Sequence, residues 1–176
     1  MSQFGPRLRR HGSLSRQNKD LEVRAVEEDI KAVFGRIWPT HVASLTRYLI
    51  SCREVFGGDL DMFLVLAVIG ERTFSGKSPA SIMDYECFRS GRDMLRPDYD
   101  INLRSIAEFS GIPRETVRRK IAELERRGWV TRDADGSLAA TRQAAADLEP
   151  LTEAGIQYLA RMLELFDSAR PGRRNT

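Results

Sequence analysis

Between residues 102 and 128 the chain is punctuated so closely that few folds remain open to it. Asn102 is a favoured N-cap residue and starts a helix over Leu103 to Phe109. Ser110-Gly111-Ile112 supplies a tight turn, and Pro113 to Arg127 forms a second helix closed by Gly128. Trp129 to Arg132 then alternates like a strand, Asp133-Ala134-Asp135-Gly136 reads as a turn, and Ser137 to Thr141 returns as a second strand. This order of elements is helix, short turn, helix, hairpin.

On the second helix the residues sort by angle. At ~100° per residue, with Val117 as zero, Ile121 falls at about 40° and Leu124 at about 340°, so these three face a core. Glu115, Arg119 and Arg126 fall at about 160°, 200° and 180°, and Arg118 at about 100°. Guanidinium and carboxylate groups therefore dominate the outward side. Two helices joined by a three-residue turn with a central glycine, followed by a hairpin, outline a winged helix-turn-helix. A helix has the width to enter the major groove, where Arg donates bidentate bonds to guanine and Glu accepts from cytosine N4. The N-terminal end of such a helix points at the bases, which favours Arg114, Glu115, Arg118 and Arg119 as readers. Arg126 and Arg127, nearly three turns further on, reach at most phosphates.

Charge is unevenly distributed. The first 19 residues carry Arg7, Arg9, Arg10, Arg16 and Lys19 with no acid, and Arg170, Arg173 and Arg174 follow Ala169. Of the 28 basic residues, those eight lie in the tails, leaving 20 against 25 acids in a body that is net acidic. Within that acidic body, Pro113 to Arg132 is locally basic, with seven basic residues against Glu115, Glu123 and Glu125. The bias toward Arg, 24 of 28, also fits a genome-wide preference, so Arg abundance by itself carries little weight.

Several function classes are disfavoured. At 176 residues a two-domain enzyme is not expected. The longest apolar run, Phe63 to Gly70, falls far short of the ~20 residues that span a bilayer, and no apolar leader follows the basic start, so a cytoplasmic location is expected. Cys52 and Cys87 are too few for a zinc site or disulfide framework, and His11 and His41 are the only histidines. Residues 70 to 78, GERTFSGKS, imitate a phosphate-binding loop but place five residues between the glycines where four are needed. Phe34, Trp38, His41 and Tyr48 are candidates for a ligand pocket, although aromatic residues at this spacing usually form core.

Elsewhere helices dominate. Apolar positions from Leu21 to Ile37 predict an amphipathic helix from Asp20 to about Arg36, and Pro39 suits the first turn of the next, which Gly57 and Gly58 stop. A third helix starts at Asp59 or Asp61 and ends at Gly70 or shortly after. Ser78-Pro79 predicts a short helix over Ala80 to Phe88, and a last helix runs from about Thr152 to Asp167 with Leu151, Ile156, Leu159, Met162, Leu163 and Phe166 as its apolar stripe.

The stretch SIAEFSGIPRETVRRKIAELERRGWV, Ser105 to Val130, resembles the helix-turn-helix of bacterial winged-helix transcriptional regulators. Its run RETVRR is similar to the recognition helix of the cyclic-AMP receptor protein family, a resemblance that implies base contacts by Arg114, Glu115 and Arg119. The helices preceding this chain's stretch differ from the β-roll nucleotide domain of that family, so no cyclic nucleotide is implied. The overall layout, including LTEAGIQYLARMLELF at 151 to 166, resembles the multiple-antibiotic-resistance regulator (MarR) family, in which flanking helices dimerise; the long insertion from Arg72 to Asp100 departs from that pattern.

The expected architecture is mainly α: a winged helix-turn-helix over 101–142 with an N-terminal helical extension and dimerisation region over 20–100. A disordered basic arm over 1–19, a C-terminal dimerisation helix over 143–169 and a basic tail over 170–176 complete it. The expected function is sequence-specific binding of double-stranded DNA by a homodimeric transcriptional regulator. Its DNA-binding residues are Arg114, Glu115, Thr116, Arg118, Arg119, Lys120 and Arg132. No catalytic residue, cofactor or metal is expected, and the chain is not expected to be an enzyme. The alternative is a winged-helix protein–protein interaction module without specific DNA binding.

Overall fold

The computed structural model describes residues 11–75, 85–90 and 101–169. Among them are eight helices, α1 (His11–Ala32), α2 (Phe34–Val55), α3 (Leu60–Ser75), α4 (Tyr85–Ser90), α5 (Leu103–Ser110), α6 (Arg114–Arg126), α7 (Arg142–Asp147) and α8 (Glu149–Ala169). Two short strands, β1 (Val130–Arg132) and β2 (Leu138–Ala140), pair antiparallel with Val130 opposite Ala140 and Arg132 opposite Leu138. None of the described helices is long and apolar enough to cross a membrane. The chain divides into two compact units, residues 46–157 and residues 1–45 with 158–176, and α2 and α8 each run through both.

The 46–157 unit is built around α3, which packs on α5, α6 and β2. Met62, Val65, Leu66 and Ile69 of α3 share one core with Ile106, Val117, Ile121, Leu124 and Leu138. Val117, Ile121 and Leu124 are completely buried, as their angular spacing requires, and such burial stabilises by about 1.5–3 kcal/mol per side chain. Asn102 caps α5 by accepting from the Arg104 and Ser105 amides, and the Ser105 hydroxyl accepts in return from the Asn102 amide. Gly111, at φ 70°, ends that helix in the left-handed region. Gly128, at φ 73°, ends α6: its amide bonds to the Glu125 carbonyl at 3.0 Å and the Trp129 amide to the Leu124 carbonyl at 2.9 Å, the Schellman pattern.

Trp129 then ties the unit together. Its indole N–H donates to Asp147 of α7 at 2.8 Å, its ring meets Phe56 edge-on at 5.5 Å, and the Arg127 guanidinium lies over it at 5.0 Å. The hairpin is anchored along the outer edge of β2. The Leu138 amide donates to the Ile101 carbonyl at 2.9 Å, and the Ala140 amide to Thr73 Oγ1 at 3.3 Å.

The second unit is simpler. Within it Ile37, Ser44 and Ala169 are buried, Phe34 stacks on Trp38 at 4.9 Å, Trp38 meets His41 at 5.1 Å, and His41 Nδ1 lies 3.2 Å from the Tyr158 hydroxyl. Tyr48, grouped with these aromatics on sequence spacing, belongs to the other unit.

Several boundaries differ from expectation. Helix α1 begins at His11, so residues 11–19 of the expected arm are helical; after Gly12 nothing in SLSRQNK breaks a helix, and extension from a formed helix costs little. Residues 1–10 and the basic tail lie outside the described residues. The break between α1 and α2 falls at Val33, which places Pro39 inside α2, where its ring opposes the carbonyl of Gly35 and its nitrogen donates no helical bond. Helix α3 runs through Gly70 to Ser75. Burial of Ile69 and Thr73 on one face against the hairpin outweighs the ~1 kcal/mol that glycine costs a helix. The short helix expected over 80–88 is described as α4, Tyr85–Ser90, and residues 76–84 and 91–100 lie outside the described residues. Strands β1 and β2 are shorter than expected, yet the bonds from Asp133 N–H to Ser137 and from Thr141 N–H to Trp129 flank them. Helix α7 is an addition to the expected elements, and α8 starts at Glu149–Pro150, three residues before Thr152.

Candidate nucleic-acid interface

Helix α6 is presented by its surroundings more than by its own cap. Pro113 at its N-cap position offers no side-chain hydrogen bond, but its carbonyl accepts the first helical bond from Val117 at 3.0 Å. The three-residue connection Gly111–Pro113 is held by Ser110, whose hydroxyl donates to the Ile106 carbonyl at 2.7 Å and accepts from the Ile112 amide at 3.3 Å. With Ile112 and Val117 buried, the first turns of α6 turn Arg114, Glu115, Arg118 and Arg119 to solvent. Thr116 is half-buried at the edge of this face.

The seven predicted residues differ in what already engages them. Arg118 forks onto Glu115, with Nε to Oε2 at 2.9 Å and Nη2 to Oε1 at 2.6 Å. Hydrogen bonding from Arg118 holds the Glu115 carboxyl below its usual range against the opposing effect of burial, and the charges of Arg118 and Arg119 add to the lowering. Arg114 and Arg119 make no side-chain hydrogen bond or ion pair with another described residue. Lys120 is half-buried and its ammonium hydrogen-bonds the Asp59 carboxylate. Arg132 donates from Nε to Glu125 Oε1 at 2.9 Å and from Nη2 to Oε2 at 3.4 Å. Lys120 and Arg132, both among the expected DNA-binding residues, are thus paired within the chain.

Further along α6 the same internal pairing continues. Glu123 accepts from Arg126 at 2.8 and 2.7 Å and from Arg127 at 2.8 Å, and these bonds bring its carboxyl down to about 2. The spacings Glu123–Arg126 and Glu123–Arg127 are the i,i+3 and i,i+4 pairs that a helix brings together, so this cluster is readable in the sequence. The Lys120–Asp59 contact joins positions 61 apart and carries no such signal.

The other sequence candidates fall away from this face. Gly70 to Ser75 of the imitation phosphate loop is helical, and the remainder lies outside the described residues. Cys52 is buried, which pushes its thiol up despite a hydrogen bond with Tyr48. Thr141, the expected end of the second strand, caps α7 by accepting from the Ala144 amide at 3.2 Å and donates to the Gly128 carbonyl. Among the described residues no cluster of His, Cys, Asp or Glu is arranged to hold a metal ion.

No protein-family model matches the chain, and neither a curated protein nor a solved structure matches it.

Proposed function

We propose that this chain is a sequence-specific double-stranded DNA-binding transcriptional regulator of the winged helix-turn-helix type, with α6 entering the major groove. One observation carries the reading: Arg114 and Arg119 stand exposed and unpaired among the described residues, on the first two turns of a helix whose opposite face is completely buried. A guanidinium held on a helix and without an internal hydrogen bond retains its donors for guanine O6 and N7. Both Glu115 oxygens accept from Arg118, and a carboxylate keeps further lone pairs with which Glu115 would accept from cytosine N4. The alternation of α5, Gly111–Pro113, α6 and the hairpin, whose Leu138 amide donates to the Ile101 carbonyl just before α5, supports the winged-helix assignment.

The active species is a homodimer. In the 1–45 and 158–176 unit, Leu21, Val23, Trp38, Val42, Leu159 and Leu163 are all more than two-fifths exposed, with Leu163 at 69%. On α2 the exposed Phe34, Trp38 and Val42, and on α8 the exposed Leu159 and Leu163, each recur every fourth residue, so each of these helices leaves an apolar face open. A second copy covers this surface and pairs two half-sites ~34 Å apart. This reading assigns the chain no enzymatic step and no cofactor.

The test is selection from a random-sequence duplex pool at ~150 mM salt, with Arg119→Ala in parallel, since specific sites are held ~10³-fold or more above nonspecific DNA. A palindromic motif that loses one base preference in the variant supports the reading. Enrichment of no sequence by either protein overturns it in favour of a protein-docking role.

A further inference from the structure

The hairpin of a winged helix invites assignment as a phosphate contact, but the charges of this one argue otherwise. Between Val130 and Ala140 the one basic residue is Arg132, and it is followed by Asp133 and Asp135. Asp135 serves the turn, accepting from the Ser137 amide at 2.9 Å, and Gly136 at φ 89° completes it. The hairpin is therefore net negative, and a phosphate backbone laid along it meets repulsion. Its lone guanidinium is already committed to Glu125 on α6 through two hydrogen bonds, the shorter at 2.9 Å. Both side chains of that pair are only about a third exposed, at 39% and 31%.

Resting on the DNA-binding reading, we propose that β1–β2 is a brace for α6 and not a DNA contact, with Arg132 a positioning residue that latches the hairpin to the reading helix through Glu125. The latch on β1 adds to the anchors on β2, Leu138 to Ile101 and Ala140 to Thr73, so each strand of the hairpin is tied to the rest of the unit. The protein footprint on DNA is then confined to the N-terminal turns of α6, where Arg114 and Arg119 lie.

A latch and a phosphate contact give opposite signs on one comparison. The operator duplex from the selection is titrated with wild type, Arg132→Gln, Glu125→Gln and the double variant over a range of salt, and amide exchange is followed in residues 130–132 and 138–140. A latch makes both single variants weaken operator binding alike, roughly two- to five-fold for a partly exposed pair. The double variant is no weaker than either single, the salt slope is unchanged, and hairpin exchange quickens in all three. A phosphate contact instead makes Arg132→Gln weaker with a slope reduced by ~0.9, and Glu125→Gln tighter because it frees the guanidinium. That pattern overturns the proposal while leaving the DNA reading intact. If wild type enriches no duplex, the DNA reading itself fails, and the exchange data alone decide the latch: unaltered hairpin protection in both single variants overturns it.

Discussion

Asp59 performs two tasks whose separation tests how α6 is held. Its Oδ1 caps α3 by accepting from the Met62 amide at 3.0 Å, while its other oxygen hydrogen-bonds Lys120 of α6. Asparagine caps a helix as well as aspartate does but cannot pair with an ammonium, so Asp59→Asn removes the second task alone. The pair is about three-quarters buried, at 29% and 23% exposure, so its loss exceeds the 0–1 kcal/mol of a surface pair and falls below the 3–5 kcal/mol of a fully buried one. About 1–2 kcal/mol is expected for Asp59→Asn. Asp59→Ala loses the cap as well, another ~1 kcal/mol. Chemical denaturation of both variants and of Lys120→Met reads these differences, and Asp59→Asn combined with Lys120→Met is expected to cost little beyond either single change. Equal destabilisation by Asn and Ala refutes the capping argument; full additivity in the double variant refutes the ion pair. The pH dependence follows in sign. Burial works to raise the Asp59 carboxyl, but Lys120, the Met62 amide and Arg127 together bring it below its ordinary 3.8. The stabilisation is therefore present above the unfolded-state value and is lost as pH falls through the lower folded one.

Three further outcomes are expected. Gly128→Ala meets no steric obstacle, since a Cβ there finds Gln143 at 3.9 Å, so its cost is the left-handed backbone alone; about 1–2 kcal/mol, or ~2–8 °C in Tm, should appear in thermal unfolding, and Gly128→Asn should recover part of it. Glu123 should titrate at about 2 by carboxyl NMR, its pairing with Arg126 and Arg127 stabilising the fold above 4.5 and fading as pH drops through about 2; a midpoint that stays low in the Arg126→Ala, Arg127→Ala double variant would rule out those two guanidinium groups as its cause. Leu163→Asp should turn a dimer into a monomer in sedimentation without altering the helix content, and a monomeric wild type would remove the homodimer from the proposal.

The parts legible in the sequence are those where local chemistry leaves one choice. Asn102 with Ser105, Gly111 and Gly128 each satisfy helix-end amides or carbonyls that would otherwise lack partners, and the structure uses all four as caps. The burial of Val117, Ile121 and Leu124 and the exposure of Arg114, Glu115, Arg118 and Arg119 follow from a 100° step. Pro39 and Gly70 point away from the observed helices for a shared reason. Each disfavours a helix locally by an amount that packing of neighbouring residues on α2 and α3 exceeds. Helix α7 leaves little trace in the sequence because six residues carry little periodicity, and its cap, Thr141, also suits a strand.

Where α5 and α6 start and stop, and which face of α6 is charged, are written in the order of residues alone, since capping, turn geometry and helical angle act over a few positions. Which of those charges remain unpaired is settled by packing. Whether Lys120 meets Asp59 and whether Arg132 meets Glu125 depends on how α3 and the hairpin pack against α6. A long side chain exchanges one partner for another within a few ångströms, and no local pattern encodes which acid a distant element brings into reach.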